Sequence, residues 1–256
     1  MAMAFDGTNL WITHYYDGTV TIVRPRDGAV VSTIQLGRGA HPHSLAFDGL
    51  SMWVGEDNGA YKISTQDFNI QGAISMGAGG ITFDGTNIWI AGSEKLVKVR
   101  VSDMAIVGNI TVPGGSGAVA SDGGANLWVI TGGDGGSVTK IRTADGNILG
   151  SFPVGYLARY VIFDGTNIWV TDRNSNLTKI RASDGTILNV FTGFGGQGLA
   201  FDGNHIWLAS GGYLLKIRAS DGSAVGNYFV DGVGTSAVAF DGVNTWVTSG
   251  GNVFKF

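Results

Sequence analysis

Phe83-Asp84-Gly85-Thr86-Asn87-Ile88-Trp89-Ile90 is the stretch that decides the fold, because its pattern returns along the whole chain. Phe-Asp-Gly stands at Phe5, Phe47, Phe83, Phe163, Phe201 and Phe240, and Ser121-Asp122-Gly123 fills the one gap, which makes seven copies. Successive anchors lie 42, 36, 38, 42, 38 and 39 residues apart. Each is followed by a tryptophan: Trp11, Trp53, Trp89, Trp128, Trp169, Trp207 and Trp246. The interval is six residues everywhere except the fourth copy, where Gly123-Gly124-Ala125 adds one, read as a longer turn or a bulge. A period of this size marks stacked supersecondary units.

Four short strands fit each copy. Strand A runs into Phe-Asp-Gly, B carries the Trp, C ends in Arg, and D is an apolar stretch such as Ile148-Leu149-Gly150-Ser151-Phe152. Asp84-Gly85-Thr86-Asn87 closes an A–B hairpin and Asp145-Gly146 a C–D hairpin, since Gly and Asn tolerate the backbone that tight turns demand. Strand B is apolar at consecutive positions, as in a sheet covered on both faces, and the Trp is expected to pack between blades. Arg24, Arg100, Arg142, Arg181 and Arg218 each precede a turn Asp by three residues, a spacing suited to bracing the hairpin. The expectation is an all-β, seven-bladed β-propeller of four-stranded antiparallel blades, one domain over 1–256, with repeats starting near residues 1, 43, 79, 117, 159, 197 and 236. Strand D of the seventh copy is not found, so a three-stranded last blade is expected; a truncated or redesigned repeat array is the alternative.

The runs Pro42-His43-Ser44-Leu45-Ala46-Phe47-Asp48-Gly49, followed by Trp53-Val54, and Thr178-Lys179-Ile180-Arg181-Ala182-Ser183-Asp184-Gly185 resemble the blade signature of YncE-like, NHL-like and virginiamycin B lyase-like bacterial propellers. The resemblance spans the chain and implies the fold; these families include binding scaffolds, partner-docking modules and a metal-dependent lyase. The lyase site implied by that resemblance has a Glu-x-His element in a D–A loop, and here Gly39 holds the Glu offset from His41.

Composition narrows the function classes. With 43 Gly, 7 Trp, 44% hydrophobic and 14% charged residues, the chain has material for a core and little for helices. No cysteine is present, which removes disulfides, thiolate metal sites and Cys nucleophiles. A net charge of −4 without a basic cluster argues against nucleic acid, and no run of about 20 apolar residues suggests a membrane span. Met1-Ala2-Met3-Ala4-Phe5-Asp6-Gly7 has neither a basic nor an apolar leader region, so a soluble chain without signal peptide is expected. Gly193-Phe194-Gly195-Gly196-Gln197-Gly198 matches a dinucleotide fingerprint, but a strand follows where a helix is needed, so no cofactor is expected. Asp172-Arg173-Asn174-Ser175-Asn176 opens like a calcium loop, yet Leu177 replaces the required Gly.

The A–B and C–D turns hardly vary between copies, whereas the D–A and B–C loops differ in length and residue type, which places ligand contacts on the latter. One variable sector carries His14, Tyr15, Tyr16, Arg38, His41, His43, Glu56, Asp57 and Glu94. Imidazoles with carboxylates can ligate a metal or exchange protons, so His14, His41, His43 and Glu56 form a candidate metal set. Against it, His41 and His43 flank Pro42 in an extended segment, which is expected to turn their side chains to opposite sides. A second sector carries Tyr156, Arg159, Tyr160, Arg173, Phe194 and Tyr213, the aromatic and Arg mixture that protein or carbohydrate surfaces favour. His205 takes an A–B turn position. With about 37 residues per blade no insertion is long enough to form a lid. The sequence therefore favours a non-enzymatic binding or interaction scaffold with a protein or carbohydrate ligand on Tyr15, Tyr16, Arg38, Tyr156, Arg159, Tyr160, Arg173, Phe194 and Tyr213. The alternatives are a metal-dependent lyase or hydrolase of virginiamycin B lyase type and a lectin using Tyr156, Arg159 and Tyr213.

Overall fold

The computed structural model describes residues 1–77 and 79–256. They divide into two compact units, residues 1–117 and 118–256. The first holds three four-stranded antiparallel meanders: β1 (Met3–Phe5), β2 (Leu10–His14), β3 (Thr19–Val23), β4 (Val30–Gln35); β5 (Pro42–Phe47), β6 (Ser51–Glu56), β7 (Gly59–Ser64), β8 (Ile70–Ser75); β9 (Ile81–Phe83), β10 (Asn87–Ala91), β11 (Lys95–Arg100), β12 (Ile106–Thr111). The second holds β13 (Val119–Ser121), β14 (Asn126–Thr131), β15 (Ser137–Arg142), β16 (Ile148–Pro153); β17 (Tyr160–Phe163), β18 (Asn167–Thr171), β19 (Asn176–Arg181), β20 (Ile187–Thr192); β21 (Gly198–Phe201), β22 (His205–Ser210), β23 (Tyr213–Arg218), β24 (Ala224–Phe229); and a sheet of three, β25 (Thr235–Phe240), β26 (Thr245–Ser249) and β27 (Asn252–Lys255).

Each B strand is sealed on both faces: all five residues of β10, β18 and β26 are buried, while the D strand β12 is mostly exposed. The Asp of the repeat explains why Phe-Asp-Gly is spaced from Trp as it is. Asp84 Oδ1 accepts from the Thr86 and Asn87 N–H groups, and its Oδ2 accepts from Trp89 Nε1 at 2.6 Å, so one carboxylate ties the hairpin to the blade's largest side chain. Trp11, Trp53, Trp169, Trp207 and Trp246 repeat this bond to Asp6, Asp48, Asp164, Asp202 and Asp241 at 2.6–2.8 Å. The fourth copy breaks the rule. Its extra residue lengthens the turn, Asp122 instead binds the Asn126 side-chain amide and N–H, and Trp128 Nε1 is buried with no partner.

A second feature of the repeat is a lysine directly across the B–C pair from the Trp, as in Trp53↔Lys62 and Trp169↔Lys179. Lys62, Lys98, Lys140, Lys179, Lys216 and Lys255 each hold the ammonium 4.8–5.6 Å from the centre of the indole. Lys62, Lys140 and Lys179 also donate to a carbonyl of the next blade's C–D turn, at Val101, Ala182 and Ala219. A desolvated cation–π contact is worth about 2 kcal/mol, so each pair steadies its own sheet, while the bonds from Lys62, Lys140 and Lys179 join neighbouring blades. The Arg–Asp pairs form as their spacing predicts, at 2.8–3.0 Å, but both partners are exposed, so solvent screening leaves each a small contribution.

Beside Trp11, Trp53, Trp128, Trp169 and Trp207 lies a space that is filled in two ways. In the first unit the filler sits on the next blade's C–D turn: Phe68 meets Trp11 edge-on at 5.8 Å, and Met104 joins the core around Trp53. In the second unit it sits on strand D of the Trp's own blade: Phe152, Phe191 and Tyr228 lie 5.7–5.9 Å from Trp128, Trp169 and Trp207.

Candidate functional site

Three loops of the first unit meet at Asp57. The β2–β3 turn is a single tight loop closed by the Gly18 N–H to the His14 carbonyl, which raises Tyr15 and Tyr16 above the sheet. The β6–β7 connection is shorter still. Glu56 pairs with Gly59, so Asp57 and Asn58 form its tip, and a Cβ on Gly59 would collide with the Ile74 carbonyl. The β4–β5 loop ends at His41, and Pro42 and His43 open β5, with a bulge between Pro42 and Ser44.

Tyr15 donates its hydroxyl to Asp57 Oδ2 at 3.0 Å, and His41 Nδ1 lies 3.1 Å from the same oxygen. His43 Nε2 lies 3.4 Å from Asp57 Oδ1. The Tyr15 ring stacks on His41 with centroids 4.8 Å apart and an angle of 16°, and the bond to Asp57 pushes the Tyr15 hydroxyl pKa up. Tyr16, 92% exposed, stands edge-on to Tyr15. The expected divergence of His41 and His43 is wrong. Residues two apart in an extended chain share a side, and the bulge re-aims the second one, so both imidazoles reach one carboxylate.

The candidate metal set does not assemble as a group of four. His14 Nε2 is 3.0 Å from Thr21 Oγ1 within its own hairpin, and burial lowers its pKa. Glu56 is the last residue of β6, whereas Asp57 stands in the β6–β7 turn, and only Asp57 meets the imidazoles. Glu56 is only 5% exposed, and Asn58 Nδ2 donates to its Oε2 at a long 3.5 Å. Among the described residues no three His, Asp or Glu side chains are placed to hold a metal ion. Glu56 instead lines a cleft of about 200 Å³ together with Arg38, Asn58 and Tyr61. Glu94 is an exposed turn residue. Asp57, which organises the cluster, was visible in the sequence only as one more loop carboxylate.

The second sector, in the other unit, divides. Arg159 and Arg173 are exposed, and the Arg173 N–H donates to the Tyr156 carbonyl at 3.0 Å, joining two loops. Tyr213 is 45% exposed and stands edge-on to Phe229 at 5.5 Å. Tyr160 is buried enough to push its hydroxyl pKa up, and Phe194 packs edge-on against Phe191 in the core around Trp169. Asp172 is a turn brace, its carboxylate taken by the Asn176 N–H and side-chain amide. His205 occupies its A–B turn place, Nδ1 3.2 Å from Asp202.

Comparison with solved structures places the whole chain. Kuenenia stuttgartiensis hydrazine synthase superposes with a TM-score of 0.83 at 18% identity, covering 100% of this chain and 94% of that one. The Myceliophteria thermophila Cps50 (Swd1) β-propeller domain gives 0.84 at 13% identity, covering 100% and 96%. The chain is a seven-bladed β-propeller. Its first six blades have four strands and its last has three. At these identities the likeness extends to the fold alone. No protein-family model and no curated protein matches the sequence. No helix among the described residues is long and apolar enough to cross a membrane.

Proposed function

We propose that this propeller is a non-enzymatic binding scaffold whose ligand, a protein segment or a carbohydrate, meets the B–C and D–A loops of the first two blades. One observation carries the proposal: Tyr15, His41, His43 and Asp57, from three separate loops, form one bonded cluster that the repeat does not require. Residues that serve the scaffold recur at the same position in most blades, whereas these do not. Exposed aromatics beside a polar network are the composition of binding surfaces. The blade signatures at Phe47-Asp48-Gly49 and Lys179-Ile180-Arg181 also lead us to place the blades with YncE-like, NHL-like and virginiamycin B lyase-like propellers, which leaves the loops free to specialise.

A thermal-shift screen of oligosaccharides and peptides tests the proposal. A hit is expected to weaken at least tenfold in both Tyr15→Ala and Asp57→Asn, and to be unchanged by Leu50→Ser in the blade-two A–B turn. Ligands indifferent to Tyr15 and Asp57, or chemical turnover abolished by Asp57→Asn, would overturn it.

A further inference from the structure

Beside the Asp57 cluster lies a cleft that the scaffold does not explain. Its floor carries Glu56, more than nine-tenths buried, whose carboxylate has only the long contact from Asn58. Burying a carboxylate is costly unless a cation or several donors meet it. The cation in reach by lining is Arg38, which is exposed and makes no ion pair with Glu56 or with any other described residue. Tyr61 supplies a third group. Its hydroxyl accepts from the Gly37 N–H at 3.2 Å, and no described residue accepts its proton. Ala40, Ala60, Ala73 and Ile74 give the lining its apolar part, and Ser75 adds a hydroxyl.

We infer that this cleft binds a small zwitterion, an α-amino acid with a compact apolar side chain, its ammonium on Glu56 and its carboxylate on Arg38 and the Tyr61 hydroxyl. The inference goes beyond the binding-face reading above: it assigns a second ligand to a neighbouring cleft that shares none of Tyr15, His41, His43 and Asp57. Charge balance decides the class. A simple amine satisfies Glu56 and leaves Arg38 unused; a simple carboxylate pairs with Arg38 and brings a second negative charge towards buried Glu56. Only a ligand carrying both charges uses both groups. Size agrees, since about 200 Å³ is the room of roughly six waters at ~30 Å³ each, enough for a molecule between alanine and valine.

Nuclear magnetic resonance titration with free L-alanine and L-valine tests it, with ethylamine and propionate as single-charge controls. Saturable shifts at Ala60 and Ala73 are expected, and each control should bind at least tenfold more weakly. Glu56→Gln and Arg38→Ala should each weaken the amino acid at least tenfold; Arg38 is exposed, so its variant remains informative even if the Glu56 variant folds poorly. No saturable binding up to about 10 mM, or binding indifferent to Arg38→Ala, overturns the inference. If the amino acids fail while another ligand depends on Tyr15 and Asp57, the zwitterion site falls and the binding face stands.

Discussion

The two units solve the same packing problem with opposite halves of the repeat. In residues 1–117 the space beside Trp11 and Trp53 is filled from the neighbouring turn by Phe68 and Met104, and the fifth position of strand D is Ile34 or Ile74. In residues 118–256 that position is Phe152, Phe191 or Tyr228, and the facing turn position, where the next blade has one, is Gly185 or Gly222. Phe68 and Met104 sit at φ 59° and 60°, a left-handed backbone that costs an ordinary residue about 1–2 kcal/mol. Burying a large apolar side chain returns about 1.5–3 kcal/mol, so the strained turn is affordable only because its side chain reaches the hole. The glycine turns keep the backbone unstrained and must then leave the hole to strand D. At these five tryptophans one large group per hole is the rule, and either the neighbouring turn or strand D supplies it.

That rule breaks most visibly by supplying two large groups at once. Gly222→Phe places a ring where Phe191 already lies, adding overpacking to a left-handed backbone, and should lose at least about 3 kcal/mol in urea unfolding. Adding Phe191→Ile converts that interface to the first unit's solution and should recover most of the loss; equal stability of the single and double variants would show that the two positions do not share a hole.

Removing the group should cost less. Phe68→Gly empties the space beside Trp11 but relieves the turn, so the expected loss is about 2–3 kcal/mol, the cavity term reduced by the backbone relief. Ile34→Phe in that background should restore at least half, by giving blade one the strand-borne filler of the second unit. If it restores nothing, the two solutions are not interchangeable.

The smallest contrast lies in the turns themselves. Thr186 and Ser223 follow the turn glycines in the second unit, and backbone and hydroxyl donors there, with the Arg partner, hold Asp184 and Asp221 at about 2 against an ordinary 3.8. Because the folded pKa lies below the unfolded one, the stabilisation is complete above pH 3.8 and is lost as pH falls towards 2. Stability of Asp184→Asn/Asp221→Asn should therefore fall less steeply over that interval. The same slope in both proteins would mean that the exposed turns add nothing measurable.

The fold was legible because a propeller writes its periodicity directly: seven Phe-Asp-Gly-type anchors, seven Trp and the hairpin turns gave the blades and the three-stranded last one. Spacing alone also placed the Arg–Asp braces and His205. The Asp-to-indole bond, five residues apart, and the lysine row were equally periodic, but the lysines act across the sheet, where Trp53 faces Lys62, and intervals of nine to twelve residues conceal that pairing. The candidate site was legible only as a neighbourhood. Tyr15, His41 and His43 do lie together, yet Asp57 at the β6–β7 turn, rather than Glu56 at the end of β6, joins them. Phe194 and Tyr160 are partly buried, at the edge of the core and at the start of β17, because an aromatic that folds inward looks the same in sequence as one that does not.

The inserted residue in the fourth blade also gives the molecule a marker. Six indole N–H groups each share a proton with a carboxylate, while that of Trp128 is enclosed without an acceptor. In a protein of near-identical blades, whose spectra would otherwise overlap copy upon copy, one chromophore is thus chemically unlike its siblings. A single blade can be followed by its own resonance through folding or ligand binding, with no label added.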